Sequence, residues 1–422
     1  MASTTKISEL AEVISSNTAI VDRYFISNNL PTPSFEVDGP STIIFPPHEK
    51  DVAAAYSQVL SATLELHTLM KGPTDMLLRM ATLATNDTLS LQAVYRLNLA
   101  FKVPLERGIS YADLSNECKL NERDLRRLIR HAMTNKIFKE KNSLVVHTAA
   151  SKLLVSNPAI NGLVGIQVEE YFPSATKTVE AMMKYDGVHS PGQSGFSLAN
   201  NTTKGLYEEF NESPVRSRRF AAAMGGFASR IPIQPLAQKF DWASCTNVVD
   251  VGGAQGPVST ALAKLFPNTK FVVQDYAEAV AEGKKKVAGD ESAMNVEFME
   301  YNFLTEQTVL GADVYYFRAI FHNWPDESCV EILRNQIPAM KKGAHILIEE
   351  NLTGPKSQAL YREKIESSMD LTMLTYFGGA ERTAEDLTKI AHMADPKFKV
   401  VSASQIEGTP SSLVNIVWEG GE

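Results

Sequence analysis

Apolar residues recur along this chain in two rhythms, and the change between them falls a little past its middle. Up to about residue 240 they return every three or four positions, the period of a helix packed on one face. Residues 5–30 predict one such helix, with Ile7, Leu10, Ile14, Ile20, Val21 and Phe25 apolar and a slip of register at Ser15-Ser16-Asn17. Residues 31–47, rich in Pro, Ser and Gly, predict a linker. A longer helix starts near Glu49, passes through Ala53, Val59, Leu60, Leu64 and Leu66, and is stopped by Gly72-Pro73. Its mostly apolar and small surface predicts an element that is buried or faces a partner.

Residues 84–146 predict three helices and a small ribbon. LSLQAVYRLNLAF is the first helix, SYADLSNEC the second, and NERDLRRLIRHAMTNKIF the third, opening on Asn121 as a cap with Glu122 in the first turn. Phe138-Lys139-Glu140 and Leu144-Val145-Val146 can then pair, which makes the segment a winged helix. Residues 152–240 read as mostly helical, with apolar and sulfur-bearing positions at Leu163, Ile166, Phe172, Met182, Met183, Phe220, Met224 and Phe227. Within them, Gly187 to Asn200 reads as a loop long enough to cap a cleft.

Beyond residue 240 the rhythm becomes strand, turn, helix. Val248-Val249-Asp250-Val251 is a short apolar strand, Gly252-Gly253-Ala254-Gln255-Gly256 a small-residue turn, and Val258, Ala261, Leu262 and Leu265 line one face of a helix. Phe271-Val272-Val273 is a second strand, ending on Asp275. Strands at 296–303, 313–320 and 345–351 follow, with helices at 325–339, 358–377 and 383–393. Such alternation predicts a parallel, doubly wound sheet. The last two runs, 398–406 and 412–418, are joined by Gly408-Thr409-Pro410-Ser411 without a helix, so the final strand enters antiparallel as a hairpin. The expected architecture is a Rossmann-like α/β domain over 241–422, a helical connector over 151–240 and a helical, winged-helix domain over 1–150.

Composition narrows the partners. A chain of 422 residues exceeds one typical core, and 44% apolar with 21% charged residues describes a globular protein. A net charge of −8 gives no electrostatic footprint for nucleic acid or anionic lipid. Arg123, Arg126, Arg127, Arg130 and His131 do form a basic face on the third helix of the winged segment, but Glu117, Glu122 and Asp124 interleave with it, the pattern of a solvated surface. Cys118, Cys245 and Cys329 are far apart and show no metal spacing, and Cys245 and Cys329 beside apolar runs read as small core residues. No basic leader and no run of 18 apolar residues occurs, so the default location is cytosolic.

The chemistry begins at the first turn of the βαβ unit. Glycines there bring bare backbone amides close to a ligand, and a carboxylate 25 residues after Asp250, at Asp275, stands where such units meet ribose hydroxyls. The turn is neither G-x-G-x-x-G nor a phosphate loop, Pro257 standing where a phosphate-loop lysine would be. A nucleoside without a phosphate chain suits it better. Strand 313–320 runs into Phe321-His322-Asn323-Trp324, beyond the carboxyl end of the sheet, where ligands of such folds bind. A histidine there suits proton removal from a hydroxyl, provided a carboxylate orients it. Glu349, Glu350 and Glu381 are the available acids.

Asp250-Val251-Gly252-Gly253, Arg318 with His322-Asn323-Trp324, Glu350 and Glu381-Arg382-Thr383 resemble, in order and spacing, the motifs of S-adenosylmethionine-dependent O-methyltransferases of the plant caffeate and fungal secondary-metabolite type. The resemblance covers about residues 50–420 and includes the winged-helix dimerisation region, so it implies a homodimer. It implies His322 as the base, Glu350 and Glu381 as its flanking acids, and Asp250, Gly252, Gly253, Gly256, Asp275, Asn302, Phe303 and Arg318 as the cofactor site, with no metal. Three departures stand out. Ala254 replaces the third glycine of the family's turn, tolerable where φ is negative, Asn302 replaces the adenine-site Asp, and His-Asp-Trp reads His322-Asn323-Trp324.

The implied reaction is direct displacement, a phenolic or enolic hydroxyl of a small apolar metabolite attacking the sulfonium methyl as His322 takes its proton. Substrate contacts are expected among Phe172, Met183, Phe220, Met224, Asn323, Met373 and Phe377, and His147 either contacts substrate or packs at the end of the wing. Two other readings use the same fold. Some fungal relatives of these enzymes keep the cofactor as a fixed positive charge and catalyse dehydration with Alder-ene or hetero-Diels–Alder cyclisation of polyketide–pyridone intermediates, and Asn323 lies where such proteins diverge. A cofactor-binding regulator would bind S-adenosylmethionine and turn nothing over.

Overall fold

The structure is a computed structural model that describes residues 5–46, 48–187, 190–228, 233–354, 360–407 and 409–421. The chain folds into two compact units whose segments interleave. The first comprises residues up to Pro173, Ser213–Gly226 and the start of the helix Leu360–Phe377 up to Ser367; the remainder forms the second. Residues 151–240 are thus shared between the two.

In the first unit, the helix Lys6–Ser27 runs without a break through the Ser15–Asn17 slip, Thr5 capping it by accepting from the Ser8 N–H. It buries Leu10 and Phe25 while Ile7, Ile20 and Ile26 stay exposed. The helix Lys50–Leu78 bends at Gly72, whose φ of 71° only glycine adopts readily, ahead of a proline that brings no N–H to the ladder. Helices Ala84–Arg96, Tyr111–Cys118 and Glu122–Thr134 enclose a core of Val94, Leu99, Tyr111, Leu114, Leu125, Ile129, Phe138, Val145 and Leu154. Strands β1 (Ile109–Ser110), β2 (Lys139–Lys141) and β3 (Leu144–Val146) form an antiparallel sheet in the order β1-β3-β2, the expected ribbon with one extra edge. Three cations of this segment's basic face are paired, Arg126 with Glu122, Arg127 with Asp124 and Arg130 with Glu140.

In the second unit, β4 (Asn247–Val251), β5 (Lys270–Asp275), β6 (Val296–Glu300), β7 (Val314–Arg318), β8 (His345–Glu350), β9 (Phe398–Gln405) and β10 (Ser412–Trp418) form one sheet in the order β6-β5-β4-β7-β8-β10-β9. β4 pairs in parallel with β5 and β7, and β10 enters antiparallel between β8 and β9, as the helix-free connection requires. Because side chains alternate along a strand, Val249, Val251, Tyr315 and Phe317 pack on one face with Val330, Leu333, Leu387 and Ile390. Val248, Phe271, Val273 and Tyr316 pack on the other with Val258, Leu262 and Val280. Helices therefore cover both faces.

Strand order reverses between β4 and β7, and the turns following those two strands meet there. A Cβ added at Gly252 would lie 2.5 Å from Ile320 Cδ1. This is the crevice in which open α/β sheets bind ligands.

One expected loop carries secondary structure of its own among its described residues. Val188 and His189 lie outside the described residues, but Pro191–Gln193 forms a 3₁₀ turn and Gly195–Ala199 a short helix capped by Ser194, with Phe196 fully buried. An aromatic ring that buries itself gives the segment a packing anchor that its Gly, Pro and Ser content conceals.

Candidate active site

The groups of the site sit at or just beyond the carboxyl ends of parallel strands, except Glu381, which lies in the loop between the helices Leu360–Phe377 and Ala384–Ala394. After β4, the N–H groups of Gly252 and Gly253 both donate to Gln274 O, at 2.8 and 3.2 Å, closing the turn onto β5. Gly252 has φ 74° and Gly256 φ 73°, and a Cβ at Gly256 would lie 2.9 Å from the Phe298 ring. A Cβ at Gly253 would lie 2.6 Å from the Asp250 carboxylate. The turn is thus bare where a nucleoside would approach. Ala254, a replacement tolerable where φ is negative, has φ 51°, and its N–H donates to the Asp275 carboxylate at 2.8 Å.

Asp250 is 2% exposed and accepts from Ser259 Oγ at 2.6 Å. Burial raises its pKa to about 6; the Ser259 hydrogen bond and Arg318 pull it down, and the charges of Asp275 and Glu349 push it up. Asp275, at the end of β5, uses one oxygen on the Ala254 N–H and the other on the Tyr276 N–H, each at 2.8 Å. Burial raises its pKa against those two donors, and each oxygen keeps a lone pair for a ribose hydroxyl. Beyond β6, Asn302 is exposed; its Oδ1 accepts from the Leu304 N–H at 3.1 Å and can take a second donor. Phe303 stands edge-on to Trp324 with ring centroids 5.7 Å apart, and would lie 3.6 Å from a Cβ at Gly252. Arg318 donates through Nε to Glu349 Oε1 at 3.2 Å, its partner in the β7–β8 register. These residues fit S-adenosylmethionine: a side-chain-free turn, a carboxylate for the ribose, and an aromatic ring and an amide beside the adenine position.

His322 lies in a 3₁₀ turn, Phe321–Asn323, just past β7. Glu350, the last residue of β8, anchors that turn, its Oε1 accepting from the N–H groups of Ile320 (3.0 Å), Phe321 (2.8 Å) and His322 (3.4 Å). Its Oε2 lies 3.6 Å from His322 Nδ1, which meets Glu381 Oε1 at 2.9 Å. Glu381 is fixed in turn by its own N–H, which donates to Asp370 Oδ1 at 2.9 Å. Burial depresses the His322 pKa, but the charge of Glu350 and the hydrogen bond and charge of Glu381 outweigh it and leave the imidazole above 6.5. Burial raises Glu350 as well, with His322 opposing. The Oε2 atoms of Glu350 and Glu381 are buried without a hydrogen-bond partner among the described residues, and that of Glu350 is the one nearest the imidazole. The three ligating atoms lie within 4.8 Å of one another, close enough also for a shared cation. Glu349 and Glu350 diverge because neighbours on a strand face opposite sides: Glu349 meets Arg318 and the Tyr316 hydroxyl, Glu350 the histidine.

Several expected contacts fall elsewhere. His147 is buried in the first unit, Nδ1 on Ser151 Oγ at 2.9 Å and Nε2 on Val103 O at 2.8 Å, so it packs just past β3 and offers no ring nitrogen to a substrate. Met183 is 81% exposed on the helix Thr178–Tyr185 rather than lining a pocket. Asn323 is buried, its amide donating to Ala319 O at 3.0 Å, which turns it inward onto the strand end. Phe172, Phe220 and Met224 are half-buried in the first unit. Met373 and Phe377 are buried in the second, the unit that holds His322.

Sequence reasoning missed Tyr207. Its ring stacks on Phe377, centroids 5.3 Å apart and planes 24° from parallel. Burial and the charges of Asp275, Tyr276 and Glu350 hold its proton well above the ordinary phenol value. Nothing in LYEEFNESP marks this residue, since the helix Leu206–Asn211 that carries it is too short to show a period.

A family model for the O-methyltransferase domain matches residues 186–395. The sequence is similar throughout to the grayanic acid biosynthesis cluster O-methyltransferase of Cladonia grayi, at 38% identity over 98% of this chain and 88% of that protein. The crystal structure of OxaC shares the fold with a TM-score of 0.78 at 20% identity, covering 98% of this chain and 100% of OxaC, which has also been solved with SAH and oxaline. A pericyclic reaction enzyme shares it too, with a TM-score of 0.72 at 18% identity over 97% of this chain and 100% of that one. A likeness of this extent to a named enzyme, spanning the glycine turn and the histidine with its two glutamates alike, makes the chain a member of the S-adenosylmethionine-dependent O-methyltransferase family.

Proposed function

We propose that the protein methylates a phenolic or enolic hydroxyl of a small apolar secondary metabolite, with His322 as general base. The observation that carries this reading is the contact of His322 Nδ1 with Glu381 Oε1 at 2.9 Å, backed by Glu350 at 3.6 Å. A carboxylate on Nδ1 selects the tautomer with the proton on that nitrogen and leaves Nε2 as the free lone pair. Among the described residues Nε2 has no hydrogen-bond partner, and the side chain is 16% exposed, enough for a substrate hydroxyl to reach it.

Bound S-adenosylmethionine supplies an electrophilic methyl on a sulfonium. The protein does the rest. Asp275, Gly252, Gly253, Asn302 and Phe303 hold the nucleoside, with Asp250 and Arg318 supporting the turn from beneath. Nε2 removes the hydroxyl proton, and Glu381 and Glu350 stabilise the imidazolium as it forms. Orientation is the larger contribution, about 7–11 kcal/mol for well-placed reactants, against about 10²–10⁴-fold for the base. Met373, Phe377 and the Tyr207 ring supply an apolar wall within the same unit.

The test is incubation with S-adenosylmethionine and a panel of phenols and enolic polyketides. Product gains one methyl, S-adenosylhomocysteine appears in equal amount, and His322→Ala lowers the rate at least a hundredfold. The similarity to a pericyclic reaction enzyme supports a second reading, cyclisation with the cofactor as a fixed charge. Product formed without a mass gain and without cofactor consumption selects it. Cofactor binding with no turnover of any substrate selects a regulator.

The same reading makes residues 1–150 a winged-helix dimerisation domain and 151–240 a connector lining the pocket. Support comes from the apolar residues left exposed on the N-terminal helices, among them Ile26 at 68%, Met70 at 67% and Leu77 at 62%. Sedimentation of a monomer alone at micromolar concentration would remove the homodimer. Among the described residues no helix is long and apolar enough to cross a membrane, and a cytoplasmic location without nucleic-acid partners fits the net charge of −8.

A further inference from the structure

Arg382 follows the glutamate that meets His322, is 7% exposed, and has no part in the acid–base set described above. Its guanidinium donates through Nη1 to Phe321 O at 2.7 Å and Ala380 O at 3.4 Å, through Nη2 to Trp324 O at 2.6 Å and Asp326 Oδ1 at 2.6 Å, and through Nε to the same Asp326 oxygen at 2.9 Å. Phe321 and Trp324 bracket His322-Asn323, and Asp326 opens the next helix. One cation therefore grips both ends of the turn that carries the imidazole, from the residue adjoining the carboxylate that the imidazole meets. The two backbones also touch here: a Cβ added at Gly379 would lie 2.0 Å from His322 O and 2.8 Å from Asn323 C.

We propose that Arg382 is a positioning residue that locks the His322 turn to Glu381 and holds the imidazole where Nε2 can meet the substrate hydroxyl. The inference rests on the reading of His322 as base. Its physical ground is the shape of the side chain. Acceptors in three directions need the planar fork of a guanidinium; a lysine projects its donors from a single point and reaches fewer of them. A second consequence is electrostatic. The groups facing His322 are Glu350 from the end of β8 and Glu381 and Arg382 from the loop before the helix Ala384–Ala394; Asp326 pairs with Arg382, and Asp370 holds the Glu381 N–H. The two glutamates raise the proton affinity of the imidazole and Arg382 lowers it.

The test uses the full chain bound to S-adenosylhomocysteine, with ¹⁵N-labelled histidines followed by NMR and His322 assigned from a His322→Asn sample. Arg382→Gln, which removes the charge and most of the grip, raises the His322 titration midpoint by about 0.5 unit or more. Because both carboxylates stay beside the ring, the hydrogen bond survives, but the downfield Nδ1–H signal broadens as the released turn moves. Arg382→Lys, which keeps the charge and loses the fork, leaves the midpoint within about 0.2 unit of wild type while the Nδ1–H signal still weakens. A merely structural role would not separate the two variants this way. Wild-type midpoint and Nδ1–H signal in Arg382→Gln overturn the proposal. If that variant fails to bind S-adenosylhomocysteine, Asp326→Asn replaces it: it leaves the guanidinium uncompensated, the midpoint falls, and an unmoved midpoint overturns the proposal. The outcomes remain separable from the base reading. Full methyl transfer by His322→Ala removes the base while the NMR result still reports on Arg382, and an inactive His322→Ala beside unmoved Arg382 variants removes only the inference about Arg382.

Discussion

Asp250 offers the sharpest test of the electrostatics beneath the cofactor turn. Its carboxyl is buried at 2% exposure beside Ser259, with Arg318 as the compensating cation and with Asp275 and Glu349 opposing. Burial lifts its pKa from 3.8 to about 6. Below pH 3.8 the folded and unfolded chains both hold the proton. Between 3.8 and about 6 the folded chain keeps it while the unfolded chain releases it, so stability declines as pH rises through that window and is level above it. A shift of about two units corresponds to roughly 3 kcal/mol lost by neutral pH.

Asp250→Asn imitates the protonated form and can keep the Ser259 partner. Without cofactor, the variant should exceed wild type by up to about 3 kcal/mol at pH 7.5 and by about half of that at pH 5. For a chain of this length, with about 2.1 cal/mol/K of unfolding entropy per residue, that is about 3 °C in Tm at pH 7.5. Calorimetry of both proteins at the two pH values measures it. An Asp250→Asn protein that melts at or below wild type at pH 7.5, or gains equally at both pH values, refutes the reasoning. The same variant should bind S-adenosylmethionine more weakly, because a negative charge beneath the turn attracts a cationic ligand. The protein thus carries an unfavourable buried charge where its ligand is positive.

The remaining predictions concern neighbouring groups. Glu381→Gln removes a charge-assisted hydrogen bond worth about 1.5–3 kcal/mol, so the plateau of kcat should fall about 10–150-fold. Because Glu381 raises the His322 pKa, the acid limb of its pH profile should move to lower pH, and a plateau within threefold of wild type with an unmoved limb argues against the triad. Gly253→Ala places a Cβ 2.6 Å from the Asp250 carboxylate and must dislodge it from Ser259, so affinity for S-adenosylhomocysteine measured by calorimetry should fall at least about tenfold. Wild-type affinity in that variant would mean that the turn does not cradle the nucleoside.

What could be read from residue order is local in origin. The βαβ unit was legible because an apolar run, a glycine turn and a helical period follow one another directly, and the antiparallel β10 because four loop residues leave no room for a crossover helix. His322 and Glu350 were legible because a sheet of known hand places strand ends together. The misreadings came where the decisive neighbour is distant in sequence. Met183 reads as a pocket residue until its helix turns it to solvent, and Gly187 to Asn200 reads as a loop until Phe196 finds a buried place. Residue order left the φ of Ala254 open, and its N–H meets Asp275, 21 residues on, with φ at 51°.

Residue order by itself determined the strands, the glycine turn, and which acids and which histidine stand at strand ends, because period, turn chemistry and strand alternation act over a few neighbouring positions. Only the tertiary structure decided which oxygen meets which nitrogen. Glu349 serves Arg318 while Glu350 serves His322, Arg382 spans the turn from some 60 residues away, and Tyr207 stacks on Phe377 across 170. Hydrogen bonds and desolvation depend on separations of a few ångströms, and the chain sets those only after it has closed on itself.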